Sequence, residues 1–556
     1  MHDDKPEAPR TLDRSYWQAT RDWELMDLSL GAALGAVAAA HPDRCALVEV
    51  LPSGEPGRRW TYAGLYDWSR RTAEALLTRF APGERIAVCA DNVVEWMPLL
   101  YGAALGGFVL VTINPACRRR EIRHVLEKSG AAALFVVRQY RDNAILETVE
   151  GMLPELPALR EVHLIEDFDD FLAGAANPAP GLPDVAPLDP CLTLFTSGTT
   201  GSPKGVMLHH KGVLNMAHMT HYRGGLRDGG VFVSPMPLFY VGGLAHAGIG
   251  AVAHRATHVV LPHWDPALYM QAVAQERGTY SLLVPTMIEA VLAHPARDTH
   301  DLSSLTCLIS GASLVEEQLI RRVQNELGSS LVNVYGQTEM HGVCITTRRD
   351  DPMDKRLTTL GRPIPHFDVK IADPETGEAV ALGEEGEIWV RSFQNMLGYV
   401  GQPEETARTI TPDGWLRSGD LARMDEQGFV AITGRIKEMI IRGGENIYPR
   451  EVETVLGDHP EIAGIAVIGI PDAFYGEQVA AVIVPREGCH PDPFALRSYA
   501  RGLMMPFKVP SQWAFVDAFP FTDTGKLQKF KLREMIVAGE LPVVDTATAR
   551  AVARQA

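Results

Sequence analysis

Thr196-Ser197-Gly198-Thr199-Thr200-Gly201-Ser202-Pro203-Lys204-Gly205 is the stretch on which the reading of this chain turns. Seven small or hydroxyl-bearing residues, Thr196 to Ser202, precede Lys204. Glycines let backbone N–H groups come close to anionic oxygens, Ser and Thr hydroxyls add donors, and the lysine adds a point charge. Such a segment suits a polyphosphate. The Gly-x-x-x-x-Gly-Lys-Ser/Thr spacing of a Walker loop is absent. Leu192-Thr193-Leu194-Phe195 before it reads as a strand, and Val206 to His210 after it is expected to lead into a helix.

Short apolar runs extend this pattern outward. Arg85–Cys89, Ala133–Val137, Ser281–Val284 and Thr306–Ile309 are β-rich and alternate with helical patterns. That alternation predicts α/β layers with largely parallel sheets. Met97–Ile113 is apolar apart from Thr112, but Pro98 and its glycines and alanines suit a buried helix over 95–105 and a strand over 108–113 better than a membrane span. Gly386-Glu-Ile-Trp-Val-Arg391 alternates as strands of antiparallel or barrel-like sheets do. A domain boundary is expected at 434/435, followed by a smaller α+β unit with strands over 463–470 and 479–484. The stretch 174–190 reads as an exposed connection, and the Ala-rich end from Ala547 as frayed helix or disorder.

With 556 residues the chain has room for two to four compact units. It holds 46% apolar and 22% charged residues, as soluble proteins do. The net charge of −17 disfavours nucleic acid and anionic membrane as partners. Seven scattered cysteines without a Cys-x-x-Cys pair point to a reducing cytoplasm rather than a disulfide frame or a zinc site. The acidic N-terminus lacks the apolar run of a signal peptide.

Four more motifs follow in order: Tyr335-Gly336-Gln337-Thr338-Glu339, Trp415-Leu416-Arg417-Ser418-Gly419-Asp420, Gly434-Arg435 through Gly443-Gly444-Glu445-Asn446 to Pro449, and Thr524-Gly525-Lys526. Together with the loop they resemble the adenylate-forming superfamily of acyl-CoA synthetases, peptide-synthetase adenylation domains and firefly-type luciferases, over about residues 30 to 535. The resemblance implies an α/β fold: a large N-terminal domain (1–434) of layered sheets plus a barrel-like subdomain, and a small mobile α+β domain (435–556). It also implies ATP, Mg²⁺ and coenzyme A. A carboxylic acid attacks the α-phosphate, pyrophosphate leaves, and a thiol then takes the acyl group. Anion meets polyanion in the first step, so positioning and charge neutralisation dominate.

By the same resemblance, Thr196, Ser197, Gly198, Thr199, Thr200, Gly201 and Lys204 hold phosphates, and Glu339 with Thr199 binds the metal. Thr338 bonds the α-phosphate. Tyr335 offers a face to the base, Gly311 and Ala312 line its other side, Asn333, Gly336 and Gln337 belong to the cofactor-binding set, and Asp420 and Arg435 hold the ribose. Lys526 touches the reacting oxygens during adenylation. Lys437 is the hinge, and Gly443, Gly444 and Glu445 form the thioester-step loop that meets coenzyme A. The acyl pocket falls among Tyr240, Val241, Gly243, Gly311, Gly336, Met340 and His341, which carry no lysine or arginine for a second carboxylate. A hydrophobic monocarboxylic acid fits, whether fatty, aryl or alicyclic. The glycines there stand either for room or for tight backbone packing. Tyr240, in Pro237-Leu-Phe-Tyr240-Val-Gly-Gly243, stands where many relatives carry histidine, and cannot titrate near neutrality. His209, His210 and His246 are read as pocket or surface residues without metal-ligand spacing. The acceptor (coenzyme A or a carrier protein) and the oligomeric state (monomer or homodimer) stay open. So do a luciferase-like oxygenase and a non-catalytic adenylate-binding protein.

Overall fold

The computed structural model describes residues 10–21, 23–175, 181–196, 203–311, 315, 317–442, 445–521 and 527–546. Among them, strands form sheets of seven, nine, five and six members. The chain divides into two compact units, one of residues 18–368 and 390–416, the other of 1–17, 369–389 and 417–556.

The seven-stranded sheet of the larger unit runs Gly398–Tyr399, Lys204–His209, Pro190–Thr196, Val109–Ile113, Arg85–Cys89, Ala133–Val136, Glu161–Leu164. From Pro190–Thr196 onward its neighbours pair in parallel. Strands covered on both faces read as unbroken apolar runs, and Val109–Ile113 and Ala133–Val136 are buried throughout. The nine-stranded sheet is likewise parallel from Ser330–Tyr335 through Cys307–Gly311, Tyr280–Leu282, Val231–Ser234 and Thr257–Val260 to Cys45–Val50. The apolar stretch 97–113 divides into a helix, Trp96–Gly106, and the strand Val109–Ile113, turned by Gly107 at φ 72°. Among the described residues no helix is long and apolar enough to cross a membrane.

The segment after the loop leads into a helix as expected: Lys204–His209 is a strand antiparallel to Pro190–Thr196, and the helix His210–Gly224 follows it. Gly205, Val206, Leu208 and His209 are buried and Met207 is half-buried, so residues on both faces of this strand are covered.

In the smaller unit, the five-stranded sheet runs Tyr16–Trp17, Asp368–Ala372, Gly386–Arg391, Leu416–Met424, Val430–Arg435. The six-stranded sheet begins at Ile440, and its longest strands, Ile462–Asp472 and Gly476–Pro485, pair antiparallel. The expected boundary at 434/435 falls inside this unit, where Val430–Arg435 ends and a 3₁₀ turn, Ile436–Glu438, follows. Residues 181–189 lie outside helices and strands, while 176–180 and the tail from Ala547 lie outside the described residues.

The larger unit buries an unusual number of imidazoles: His209, His210, His221, His246, His254, His258 and His341 are each at most 4% exposed. His209, His210 and His246 therefore belong to the interior, not to the surface. Burial pushes His210, His246 and His254 down to about 4 and His258 to about 3. Neither ring nitrogen of His258 has a hydrogen-bond partner among the described residues. Unfolded histidine titrates near 6.5, so above that pH both states are neutral and the stability is fully present. Below it the unfolded chain takes up protons that the folded core refuses, at about 1.4 kcal/mol per pH unit for each histidine, until the folded values near 4 and 3 are passed. The melting temperature should therefore fall by on the order of 10 °C between pH 7.5 and pH 5. Calorimetric scans at half-unit intervals check this, and a flat profile contradicts it.

Candidate active site

The antiparallel strand pair that carries Thr196 and Lys204 lies beside the parallel strands of the seven-stranded sheet. The two residues face each other in register, and Thr196 Oγ1 donates to the Lys204 carbonyl oxygen at 3.5 Å. His124 Nε2 lies 3.0 Å from the Pro203 carbonyl oxygen and fixes the base of the stretch. Gly205 is required under the Phe195 ring, because a Cβ there would sit 2.9 Å from the ring carbon Cζ. Lys204 Nζ lies 2.5 Å from Glu405 Oε2 and 5.0 Å from the centroid of the Tyr399 ring. The Lys204 ammonium holds the Glu405 carboxyl below its ordinary range, with Arg408 assisting. Ser197, Gly198, Thr199, Thr200 and Gly201 lie outside the described residues.

Tyr335 ends its strand at the carboxyl edge of the nine-stranded sheet, the side where open α/β sheets bind ligands. Gly311 ends the neighbouring strand opposite Val334. Tyr335, Gln337, Thr338 and Glu339 are half-buried and Gly336 is exposed. Glycine at 336 is dictated by the returning chain, since a Cβ would stand 1.7 Å from the Gly342 carbonyl oxygen. Gly243 and Gly311 are equally tight, with Cβ positions 2.2 Å from the Pro237 oxygen and 2.4 Å from the Val334 oxygen. These three glycines are there for close backbone packing, and none of them opens room for an acyl chain. Ala312 lies outside the described residues. Asn333 is buried, its backbone N–H on Thr347 Oγ1 at 2.8 Å and its amide nitrogen donating to the Thr359 carbonyl at 3.4 Å. Its side chain braces the sheet.

Glu339 sits in the 3₁₀ turn Thr338–Met340. Its Oε1 accepts the Tyr399 hydroxyl at 2.9 Å, and its carbonyl accepts the Met396 N–H at 2.8 Å. No ion pair engages the carboxylate among the described residues. Met340 and His341 are fully buried. His341, at φ 62°, is a bolt rather than an open pocket wall. Its Nε2 accepts the His209 N–H at 3.0 Å, so its Nδ1–H donates to the Gln394 carbonyl at 2.5 Å. Burial, and secondarily His209, hold it well below the ordinary histidine range, which keeps this neutral tautomer. His209 in turn reaches the Phe393 carbonyl at 2.9 Å and caps the helix His210–Gly224 through the Gly212 N–H.

Tyr240 and Val241 are half-buried at the start of an unusual eight-residue π-helix, Gly242–Ile249, a feature frequent at functional sites. The Tyr240 hydroxyl accepts from Asn114 Nδ2 at 3.2 Å. Val241 Cγ1 lies only 3.2 Å from the Cβ position of Gly342, so the segment 240–243 and the loop 336–342 do meet.

In the smaller unit Asp420 and Arg435 stand opposite each other on antiparallel strands, and Arg435 Nε donates to Asp420 Oδ1 at 2.9 Å. The carboxylate is 2% exposed and Arg435 is exposed, so this is not a pair lying wholly on the surface. Gly419, at φ 75°, gives its N–H to Glu387 Oε1 at 2.8 Å. Lys437 is exposed in the turn Ile436–Glu438, where Glu438 meets Lys529 at 3.2 Å. Glu445 is exposed on Glu445–Ile447. Gly443, Gly444 and Lys526 lie outside the described residues. Sequence reasoning missed Tyr399 and Glu405. The available signal was Pro403-Glu404-Glu405, proline and acids that open a helix.

The family model for AMP-binding enzymes matches residues 34–400, and that for the AMP-binding enzyme C-terminal domain matches 451–526. The chain belongs to the AMP-binding enzyme family. The chain is 36% identical to the putative acyl-CoA synthetase YngI of Bacillus subtilis (strain 168), over 92% of this chain and 98% of that protein. To the mitochondrial medium-chain acyl-CoA ligase ACSF2 of Homo sapiens it is 31% identical, over 94% and 90%. The anthranilate CoA ligase AuaEII, solved with anthranoyl-AMP, superposes with a TM-score of 0.82 at 25% identity, covering 93% of this chain and 99% of that one. A fatty acyl CoA synthetase of Mycobacterium tuberculosis gives 0.75 at 27%, covering 92% and 99%. This AMP-binding enzyme is thus a ligase that joins an acid to coenzyme A through an acyl-adenylate, with ATP as co-substrate.

His341→Phe keeps the volume but leaves the His209 N–H and the Gln394 carbonyl unpaired in the interior, at a cost of about 3 kcal/mol. The expected result is a lower urea midpoint with an unchanged slope, together with loss of pyrophosphate exchange. A variant as stable and active as the parent contradicts the bolt.

Proposed function

We propose that this AMP-binding enzyme activates a hydrophobic monocarboxylic acid of medium chain length, using ATP with Mg²⁺, and passes the acyl group to coenzyme A. The observation that carries the chemistry is the triple Lys204, Tyr399, Glu339. It sets a cation for phosphates and a carboxylate for a metal side by side on one short hairpin and turn. Glu339 fits Mg²⁺, a hard ion that takes few carboxylates together with phosphate oxygens. It is half-buried, oriented by a hydroxyl, and in no ion pair among the described residues. When bound, the metal neutralises phosphate charge.

In the first half-reaction a carboxylate oxygen of the acid bonds to the α-phosphorus, and the bond to the bridging oxygen breaks with loss of pyrophosphate. Lys204 would hold the outer phosphates and Thr338 the α-phosphate. Asp420, with Arg435 already pairing it, would accept the ribose hydroxyls. Lys526 would meet the reacting oxygens. In the second half-reaction the thiol sulfur of coenzyme A bonds to the acyl carbon and AMP leaves. Residues 435–556 would be the mobile domain, with Lys437 as pivot and Gly443, Gly444 and Glu445 beside the thiol arm. The turn Ile436–Glu438 links two sheets, which suits a hinge.

The apolar character of Val241 and Met340, and the lack of a lysine or arginine among the pocket residues named, support a hydrophobic acid. The relatives named for medium-chain and fatty acids support a straight chain. The likeness to an anthranilate CoA ligase favours an aryl acid as the second reading. A cytoplasmic site of action is part of this proposal.

Measuring coenzyme A-dependent AMP release over straight-chain and aromatic acids decides among these. Medium straight chains should give the highest kcat/KM, and benzoates at the top would install the aryl reading. Exchange without any release on adding coenzyme A would shift the acceptor to a carrier protein. Lys526→Ala should lose adenylation by on the order of 100-fold or more yet still transfer a preformed acyl-adenylate to coenzyme A. Equal loss in both half-reactions would refute the two-state assignment.

A further inference from the structure

A lysine and a glutamate brought together to serve a triphosphate have a problem before it arrives. Nothing in their chemistry prevents them from pairing with each other. In this structure Lys204 pairs with Glu405, and a tyrosine touches both functional groups. We propose that Tyr399 is a positioning residue of the ATP step: its ring carries the Lys204 ammonium while its hydroxyl aims the Glu339 carboxylate. This rests on the reading of Lys204 and Glu339 given above.

Backbone pairing and one side-chain acceptor fix Tyr399. It pairs with Val206, and Gly398 pairs with Met207, on the same strand that starts at Lys204. The Val400 N–H donates to the Gly205 carbonyl at 2.8 Å and the Leu397 N–H to the Met207 carbonyl at 2.9 Å. Its own N–H donates to Thr406 Oγ1 at 2.9 Å, on the helix Pro403–Thr409 that also carries Glu405. Tyr399 is 7% exposed, and its hydroxyl donates to Glu339 Oε1 at 2.9 Å. A cation over an aromatic face is attracted by the ring quadrupole at 5.0 Å. The hydroxyl occupies one carboxylate oxygen of Glu339 with a neutral donor, so the charge is kept for an incoming cation. Glu405 completes the arrangement as the anion that a phosphate would replace at Lys204.

The experiment is isothermal titration of ATP into the full-length protein, once with Mg²⁺ and once with EDTA, alongside a melting curve for each variant. Tyr399→Phe keeps the ring and removes the hydroxyl. It should cut the Mg²⁺-dependent gain in ATP affinity about tenfold, as expected for a lost bond to a charged group, and leave the EDTA affinity and the melting temperature unchanged. Tyr399→Leu should weaken the EDTA affinity several-fold as well, because the platform for Lys204 is gone. Glu339→Gln is the control and should abolish the Mg²⁺ gain. If that control leaves the gain intact, the reading of Glu339 itself fails. If the control behaves and Tyr399→Phe binds as the parent does, or loses affinity equally in both media, the positioning role of Tyr399 is overturned.

Discussion

A neutral, fully buried imidazole ties the candidate site together. His341 accepts a hydrogen bond from the backbone of the Lys204–His209 strand and donates one to the backbone at Gln394. The turn that carries Thr338 and Glu339 is thereby fixed both to the strand that carries Lys204 and to the segment that runs on to Tyr399. Amide groups of a buried turn must find partners somewhere, and a single ring with one donor and one acceptor serves two of them. A charged imidazole has no acceptor left, so this arrangement exists only for the neutral form. His209 extends the brace through the Phe393 carbonyl and the cap of the following helix. Backbone hydrogen bonds thus hold the turn Thr338–Met340, the strand Lys204–His209 and the segment at Gln394 to one another.

The reading of the sequence reached the fold through runs whose local pattern matches their final state. Arg85–Cys89 and the break within 97–113 are examples, because burial on both faces writes itself into composition. It reached the family because five ordered motifs outweigh any one of them. It did not mark Lys204–His209 as a strand, because burial on both faces left no alternation to see. It saw His341 as a pocket residue, since its partners are backbone groups that carry no sequence signature. Tyr399 and Glu405 were invisible for a different reason. Glu405 meets Lys204 across 201 positions of chain, and only the assembled sheet supplies that contact.

The glycines give a similar lesson about close packing. Three of them, Gly243, Gly311 and Gly336, fall in the stretch read as an acyl pocket, and each presses its α-carbon against a carbonyl oxygen. Protein interiors are too dense to leave such positions empty.

The antiparallel ladder between Lys204–His209 and its two neighbours has an evolutionary corollary. Thr196 faces Lys204 on one side, and Val206 faces Tyr399 on the other. Side chains alternate faces along a strand, so one residue gained or lost between Lys204 and Val206 would turn the lysine to the opposite face. Descendants of this gene can exchange residues within the ladder, but insertions and deletions there should be purged. Tolerance for changed length belongs to stretches such as 181–189, which lie outside helices and strands.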